Sequence, residues 1–167
     1  MSISIRRAES QDIQKIVSYV CDFRKHLFPM IDHTEVPRDL KSFQETYLDH
    51  PYGMFIMLEN EKNDLIGTVG MMAYNHRFKH FDISVHPVSE VVKLYVAPAY
   101  RRQGWGQKLY SFLEKEAAFQ KVNHLYLHTH PFLPGAEKFW KQQEFVTIIQ
   151  DSTPVFETIH MYKKLIG

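Results

Sequence analysis

The sequence predicts a single domain of the α/β class (α+β type) over residues 1–167, in which a mixed, mostly antiparallel sheet of about seven strands is flanked by helices. A chain of 167 residues, 44% of them hydrophobic, is one domain by length and can bury a sizeable core. Short apolar runs joined by a polar turn in the N-terminal half are typical of antiparallel strands. In the middle of the chain a strand, a loop with glycines, a helix and another strand follow one another, which predicts two parallel neighbouring strands.

The N-terminal third combines a short strand with helices. Residues 3–5 alternate between apolar and polar side chains, as in a half-buried strand. Residues 13–21 carry apolar side chains at helical spacing, which predicts an amphipathic helix. Residues 23–50 form a second, looser helical region, in which Pro37 is well placed at a helix start.

Two strands follow this helical region. The apolar runs 54–58 and 65–72 are joined by the polar connection 60–64, and this order predicts a hairpin. Gly67 and Gly70 interrupt the second run, which indicates a bulge or a close backbone approach.

Residues 75–88 have no clear period and predict a loop or an irregular edge strand. They contain His76, His80 and His86 in a chain with 10 histidines, so metal binding has to be weighed. His76 and His80 have i, i+4 spacing, but no cysteine or convincing acidic partner completes a ligand set. We therefore expect no metal and a solvated loop.

The C-terminal third supplies three strands and a short helix. Residues 122–130 alternate as a strand, and Phe139 and Trp140 then share one face of a helix. The last two strands are predicted at 145–149 and at 157–163.

Composition and charge exclude several classes of protein. The formal net charge is +1, so nothing favours a nucleic-acid partner. Cys21 is the only cysteine, which rules out an internal disulfide, and its apolar surroundings favour a packed thiol. The N-terminus lacks the apolar region of a signal peptide, and no apolar run is long enough to span a bilayer. We expect a soluble, cytoplasmic protein without a membrane partner.

The chain is organised around residues 90–107, which form a buried strand, a basic turn and the start of a helix. The first N–H groups of a helix lack partners and carry the positive end of the helix dipole, so they attract anions. Gly104 and Gly106 leave this backbone accessible because they have no Cβ. Arg101 and Arg102 add donors that suit phosphate oxygens. The turn predicts a pyrophosphate site, with a merely solvated basic turn as the alternative.

The spacing of this turn distinguishes between kinds of nucleotide site. A Walker loop needs lysine and a hydroxyl residue directly after its second glycine, and a Rossmann fingerprint needs a third glycine where Leu109 stands. The pattern that fits is R-x-x-G-x-G, formed by Arg101, Gly104 and Gly106 after a strand ending in Leu-Tyr-Val-x-Pro. In these residues the chain resembles the GNAT superfamily of acyl-CoA-dependent N-acetyltransferases, and the resemblance extends over nearly the whole chain.

This resemblance implies the reaction and the donor site. It implies N-acetyltransferase activity with acetyl-CoA as co-substrate and no metal, on a mixed sheet flanked by helices. It also implies that the strand backbone pairs with the pantetheine arm of coenzyme A, while the following turn holds the pyrophosphate. The residues implied in coenzyme binding are Leu94, Tyr95, Val96, Arg101, Arg102, Gln103, Gly104, Trp105, Gly106, Gln107 and Phe139.

Glu90 is the leading candidate for the general base. By period-two alternation it shares a face of the strand with Val92, Leu94 and Val96. A carboxylate among apolar neighbours would have a raised pKa, which suits deprotonation of an ammonium group. Family members that use a glutamate base carry it on the corresponding strand. The alternative is a solvent-facing glutamate at the strand end.

The residue at the position of the family's general acid differs from the family pattern. Many members carry N-x-x-A-x-x-x-Y-x-x-x-G-F, whose tyrosine protonates the leaving thiolate, whereas Trp140 stands at the tyrosine position here. An indole N–H donates a hydrogen bond but cannot deliver a proton. Trp140 either packs beside the coenzyme, or is replaced in its role by a residue such as His128, His130 or Tyr95, or the protein binds acyl-CoA without turning it over.

The acceptor is the least determined part of the reaction. The best hypothesis is the primary amine of a small molecule, with a peptide N-terminus or protein lysine, or a non-catalytic acyl-CoA sensor, as alternatives. By resemblance only, Arg24, His26, His33 and Tyr47 are candidates for the acceptor pocket. An edge strand at the C-terminal side makes a homodimer possible.

Overall fold

The computed structural model describes residues 2–79, 81–83, 87–152 and 156–165, which contain one seven-stranded mixed sheet. The strands are β1 (Ser4–Arg7), β2 (Met54–Glu59), β3 (Leu65–Ala73), β4 (Val88–Val96), β5 (His124–Thr129), β6 (Val146–Asp151) and β7 (Thr158–Lys164). Their order is β1-β2-β3-β4-β5-β7-β6, in which β4 and β5 are parallel and the other neighbours antiparallel. The predicted fold class is confirmed.

Helices cover both faces of the sheet. Within the described residues they are α1 (Ile13–Leu27), α2 (Arg38–Lys41), α3 (Trp105–Phe119) and α4 (Ala136–Gln142), with a π-helical segment at Gln44–Asp49. Leu109 and Leu113 of α3 pack into one core with Leu125 of β5. Ile16 of α1 packs into a second core with Phe55 of β2. The sheet therefore lies between two apolar layers, as the helical periods of α1 and α3 require.

The parallel strands β4 and β5 pair only at their beginnings. Residues 88–90 pair with residues 124–126, and among the described residues no pairing of these two strands is found beyond Glu90. On its other edge β4 stays paired with β3 as far as Val96. Residues 91–96 therefore have one backbone edge that no strand of the sheet covers.

A bulge interrupts β4 in this uncovered part. Thr68 pairs with Tyr95 but Gly70 pairs with Val92, so β4 has one residue more than β3 over this stretch. Lys93 within the bulge has a φ of 59°, in the left-handed region. The Thr68 hydroxyl donates a hydrogen bond to the Lys93 carbonyl oxygen at 2.7 Å.

The bulge changes which β4 side chains share a face. Leu94 and Val96 pack against the core beneath α3, whereas Val92 and Tyr95 pack against the core beneath α1. The expectation that Glu90 shares a face with Val92, Leu94 and Val96 is therefore wrong beyond Val92. The extra residue reverses the alternation that an uninterrupted strand would keep.

The two glycines of β3 mark close approaches, as predicted. A Cβ on Gly67 would lie 3.0 Å from the Tyr95 carbonyl oxygen, and one on Gly70 would lie 2.7 Å from the Phe55 ring. Both positions need a residue without a side chain because a neighbour fills the space.

Residues 75–79 form a loop rather than an edge strand. His80 and His86 lie outside the described residues. In the part of the chain that the structure covers, no group of three or more His, Cys, Asp or Glu side chains could hold a metal ion. No helix in that part is long and apolar enough to cross a membrane.

Candidate active site

The turn before α3 ends at a glycine whose conformation other residues rarely adopt. Gly104 is the N-cap of α3 with a φ of 82°, and a Cβ there would meet nothing within 4 Å. Its carbonyl oxygen accepts a hydrogen bond from the Lys108 N–H at 3.1 Å, the first bond of the helix. Among the described residues, no protein acceptor is found for the backbone N–H groups of residues 103–107. These groups and the helix dipole have the chemistry that suits an anion, and we call residues 103–107 the anion site.

A cavity of about 340 Å³ adjoins this anion site. It is lined by the end of β4, the turn, the first residues of α3 and one side of α4. The lining residues are Val96, Tyr100, Arg101, Arg102, Gly104, Trp105, Gly106, Gln107, Phe139, Gln142 and Gln143. The structure thus brings together all the residues predicted to bind coenzyme except Leu94, Tyr95 and Gln103.

Three cavity residues were missed by sequence reasoning. Gln142 and Gln143 follow Phe139 at i+3 and i+4, so they lie on the same side of α4, and this spacing is the signal that could have found them. Tyr100 ends the 3₁₀ turn Pro98–Tyr100. Its position depends on that turn, and no motif in the sequence marks it.

Arg101 is directed back toward β4. Its Nε donates a hydrogen bond to the Val96 carbonyl oxygen at 2.8 Å, and its guanidinium lies 5.1 Å from the centre of the Tyr95 ring. A guanidinium has five N–H donors, so this contact leaves others for an anion. Arg101 therefore fixes the turn to the end of β4 and also lines the cavity.

Glu90 is buried, with 1% of its surface exposed. Arg77 donates to both carboxylate oxygens, at 2.6 Å and 2.8 Å, and His128 Nδ1 lies 3.4 Å from Oε2. Burial alone would raise the pKa of Glu90, but the hydrogen bonds and charges of Arg77 and His128 outweigh it and hold the pKa at about 2. The predicted raised pKa is wrong, because the loop residue Arg77, to which sequence reasoning gave no role, supplies a counter-charge.

His130 directly follows β5 and is 6% exposed. Its Nδ1 lies 3.0 Å from the Glu157 carbonyl oxygen, which can only accept, so Nδ1 carries the proton. In the neutral ring Nε2 is then the hydrogen-bond acceptor. Burial lowers the pKa of His130 more than the hydrogen bond to Glu157 raises it. The ring is therefore neutral near pH 7.

Aromatic side chains surround His130 and form, together with it, what we call the aromatic wall. Phe132 stacks on the imidazole with ring centres 5.1 Å apart and an interplanar angle of 10°. Phe28 and Phe156 meet the imidazole edge-on, with ring centres at 5.8 Å and 4.8 Å. Phe132 is 39% exposed, so the aromatic wall reaches the surface.

Trp140 packs in the core beneath α3. It is 7% exposed, and its ring lies edge-on to Tyr110 at 5.5 Å and to Phe145 at 5.3 Å. It does not line the cavity, whereas its neighbour Phe139 does. Trp140 is therefore a core residue, and the prediction that it packs beside the coenzyme stays a prediction.

The candidates for the acceptor pocket have different surroundings. Tyr47 is 1% exposed and donates its hydroxyl to Asp39 at 2.6 Å, so it is a core residue. His33 Nε2 donates to the Phe28 carbonyl oxygen at 2.8 Å, next to the aromatic wall. His26 is exposed on α1.

The model of the acetyltransferase (GNAT) family matches residues 17–145 of this chain. The chain belongs to this family. It is an N-acetyltransferase, and its co-substrate is acetyl-CoA, as for the family. The predicted family, enzyme class and co-substrate are thereby confirmed. Among curated proteins, none matches the sequence significantly.

Solved structures of acetyltransferases share the fold over nearly the whole chain. A GNAT-family acetyltransferase from Staphylococcus aureus Mu50 has a TM-score of 0.77 and 22% identity, covering 99% of this chain and 100% of its own. A ribosomal-protein-alanine N-acetyltransferase from Brucella melitensis has a TM-score of 0.75 and 20% identity, covering 97% and 99%. A phosphinothricin acetyltransferase from Sinorhizobium meliloti, in complex with acetyl-CoA, has a TM-score of 0.74 and 16% identity, covering 99% and 89%.

Proposed function

We propose that this enzyme transfers the acetyl group of acetyl-CoA to the primary amine of a small molecule, by direct attack of the amine on the thioester. The observation that carries the proposal is the neutral, buried His130 at the end of β5, the strand that parts from the uncovered edge of β4. The proposal places the amine between this proton acceptor, directly after β5, and the strand edge that can hold the donor.

The donor side of the proposal rests on backbone groups. Residues 91–96 have an uncovered edge, and the amide groups of a pantetheine arm can pair with it as an added strand would. The anion site at residues 103–107 follows in the chain and suits the pyrophosphate of the same coenzyme. Phe139 and the glutamines of α4 would enclose the coenzyme from the other side.

The acceptor must lose a proton to become a nucleophile. We assign this proton to His130 Nε2, because that nitrogen carries a lone pair in the neutral ring. The amine lone pair forms the bond to the carbonyl carbon, the carbon–sulfur bond breaks, and the sulfur leaves as a thiolate. The attacking nitrogen loses its second proton, and water carries that proton to the thiolate, since the indole of Trp140 has no proton to deliver.

Glu90 has a supporting role in this proposal. With a pKa of about 2 it is ionised at neutral pH and gains little by accepting a proton there. Its carboxylate, 3.4 Å from His128 Nδ1, instead helps to orient that imidazole, whose ring centre lies 5.7 Å from that of His130. Direct deprotonation by Glu90 is the alternative that the pH dependence of the rate tests.

The aromatic wall supports an acceptor with an apolar or aromatic body next to its amine. Phe132 offers exposed ring surface beside His130, and such surface binds apolar groups by burial. We also propose a cytoplasmic enzyme, and β6 at the edge of the sheet is where a homodimer would extend it.

Calorimetric titration of acetyl-CoA, followed by thiol release across a panel of amines, tests the proposed function. The panel should contain arylalkylamines, alkylamines, polyamines, amino acids and short peptides with free N-termini. Fast release with small apolar amines supports the proposal. Release with peptides alone would replace it by a peptide acceptor, and tight binding of acetyl-CoA without release to any amine would refute it.

A further inference from the structure

Lys93 has a backbone conformation that its residue type does not explain. It lies in the bulge of β4 with a φ of 59°, where glycine is the favoured residue. Within β4, all of which is described, the other residues have negative φ. From β3, the Thr68 hydroxyl donates a hydrogen bond to the Lys93 carbonyl oxygen. A second contact is needed to explain why a lysine remains in this conformation.

The side chain of Lys93 supplies that contact. Its Nζ lies 3.1 Å from Asp39 Oδ2, and the two side chains are only 15% and 18% exposed. The same oxygen accepts the Tyr47 hydroxyl at 2.6 Å. Tyr47 packs against Phe43 and Phe55, with ring centres 4.8 Å and 5.1 Å away. The carboxylate that pairs with Lys93 is therefore anchored in the core beneath α1.

We propose that Asp39 is a positioning residue for the acyl donor. Through its ion pair with Lys93 it holds the β4 bulge, and with it the uncovered edge of residues 91–96 along which the donor extends. This inference rests on the proposed binding of acetyl-CoA to that edge. Because Asp39 belongs to α2, the ion pair also connects the segment between β1 and β2 to β4, along which the acyl donor is proposed to lie.

The physical argument concerns what happens when one partner is removed. A largely buried charge without its partner is unfavourable, so the other side chain has to move toward water. Without the ion pair, Lys93 relaxes toward negative φ, which is the ordinary range for a residue with a Cβ. The N–H and C=O groups of Leu94, which point away from β3 because those of Tyr95 pair with Thr68, then leave the positions that suit the donor.

Three substitutions separate the conformation of Lys93 from its charge. Asp39→Asn and Lys93→Met remove the ion pair and leave a Cβ in the left-handed conformation, whereas Lys93→Gly removes the ion pair but permits the positive φ. Titration calorimetry should show the Kd for acetyl-CoA rising about fivefold to tenfold in the first two variants, as expected for one partly buried ion pair. In Lys93→Gly it should stay within about twofold, since glycine adopts this φ freely.

Lys41→Met is the matched control. Its ion pair with Glu35 at 2.8 Å belongs to the same segment, but the two side chains are 56% and 82% exposed. Its Kd for acetyl-CoA should equal that of the wild type. In the steady state, Asp39→Asn should raise the KM for acetyl-CoA while kcat at saturating donor stays nearly constant, a split that general destabilisation would not produce.

Two results would overturn the inference. One is an unchanged Kd in Asp39→Asn, and the other is a Kd in Lys93→Gly as high as in Lys93→Met. Failure of the proposed function is distinguishable, because it appears in the wild type, either as no binding of acetyl-CoA or as binding without thiol release. Only the absence of binding prevents the comparison of Kd values. In that case hydrogen exchange on the ligand-free protein decides. If the amides of residues 91–96 exchange several-fold faster in Asp39→Asn than in Lys41→Met, then Asp39 stabilises the bulge. Equal exchange rates in the two variants would overturn the inference.

Discussion

At the scale of single residues, neighbours decide which group can accept a proton. Glu90 looks from its strand like a base with a raised pKa, yet Arg77 holds its pKa at about 2. His130 is buried enough that its pKa is lowered, and its hydrogen bond to Glu157 leaves Nε2 as the acceptor. Near pH 7 the carboxylate is an ionised partner of Arg77, and the histidine is neutral, as the base proposed above must be.

His130→Asn tests the histidine as base. The asparagine amide can still donate to the Glu157 carbonyl oxygen, but the Nε2 lone pair is gone. We expect kcat to fall about 100-fold or more, the usual contribution of general base catalysis, with the Kd for acetyl-CoA unchanged. Thiol release and calorimetry measure the two quantities.

The control for this substitution is His124→Asn, at the other end of β5 and on the same face of the sheet. His124 is also buried, with 7% exposure, and stacks on Tyr162. An equal loss of kcat in both variants would mean that the sheet was damaged and not the chemistry.

Glu90→Gln distinguishes the two proposed bases by the pH dependence of kcat/KM. Because a pKa of about 2 keeps Glu90 ionised from pH 5 to pH 9, the rising limb of the profile belongs to a histidine. The substitution should lower the rate, because Arg77 loses its buried partner, and it should keep that limb. Disappearance of the limb would make Glu90 the base.

At the scale of elements, α3 and α4 begin with the same local conformation, but only the start of α3 lies at the cavity. Gly104 and Gly135 are their N-caps, with φ of 82° and 77°, and a Cβ at either would meet nothing within 4 Å. Gly104 lines the cavity and Gly135 does not. The same local conformation thus lies at a cavity in α3 and only starts a helix in α4.

Gly104→Ala and Gly135→Ala should therefore cost similar stability but differ in binding. Each introduces a Cβ at a positive φ, which costs about 1 kcal/mol of the free energy of unfolding in urea titrations. Only Gly104→Ala should weaken acetyl-CoA binding, by about tenfold, because its methyl group enters the anion site. An equal change in Kd for both variants would argue against that site.

At the scale of the whole molecule, buried and half-buried charges join segments that are far apart in the chain. Arg77 joins the loop after β3 to β4 through Glu90. Arg6 of β1 binds Asp12 and Glu59 at 2.8 Å each, which helps to lower the pKa of both carboxyl groups. These carboxylates are easier to protonate in the unfolded chain than in the folded one, so acid favours unfolding.

The free energy of unfolding should therefore fall in two stages as the pH decreases. Below about pH 6.5 the unfolded chain protonates histidines such as His124 and His130, whose pKa burial lowers in the fold. Below about pH 4.5 the unfolded chain also protonates its carboxylates, and the contribution of Glu90 to the free energy of unfolding is lost progressively toward pH 2.

Urea titrations at pH 7, 5 and 3 measure these stages. Glu90→Gln should be less stable than the wild type at pH 7, by about 3 kcal/mol, because Arg77 loses its buried partner. Its stability should fall less between pH 5 and pH 3, since the substituted residue does not titrate. Parallel curves for the two proteins would contradict the lowered pKa of Glu90.

The sequence alone determined the order of strands and helices, the mixed sheet, the family resemblance and the basic, glycine-bearing turn before α3. These features depend on residues close together in the chain: apolar periodicity, and the glycines and arginines of residues 101–106 at a helix start. Tertiary structure decided the pairing of Arg77 with Glu90, the bulge at Lys93 and the core position of Trp140. Each depends on a partner in another element, and local periodicity does not specify which distant charge or ring a side chain will meet.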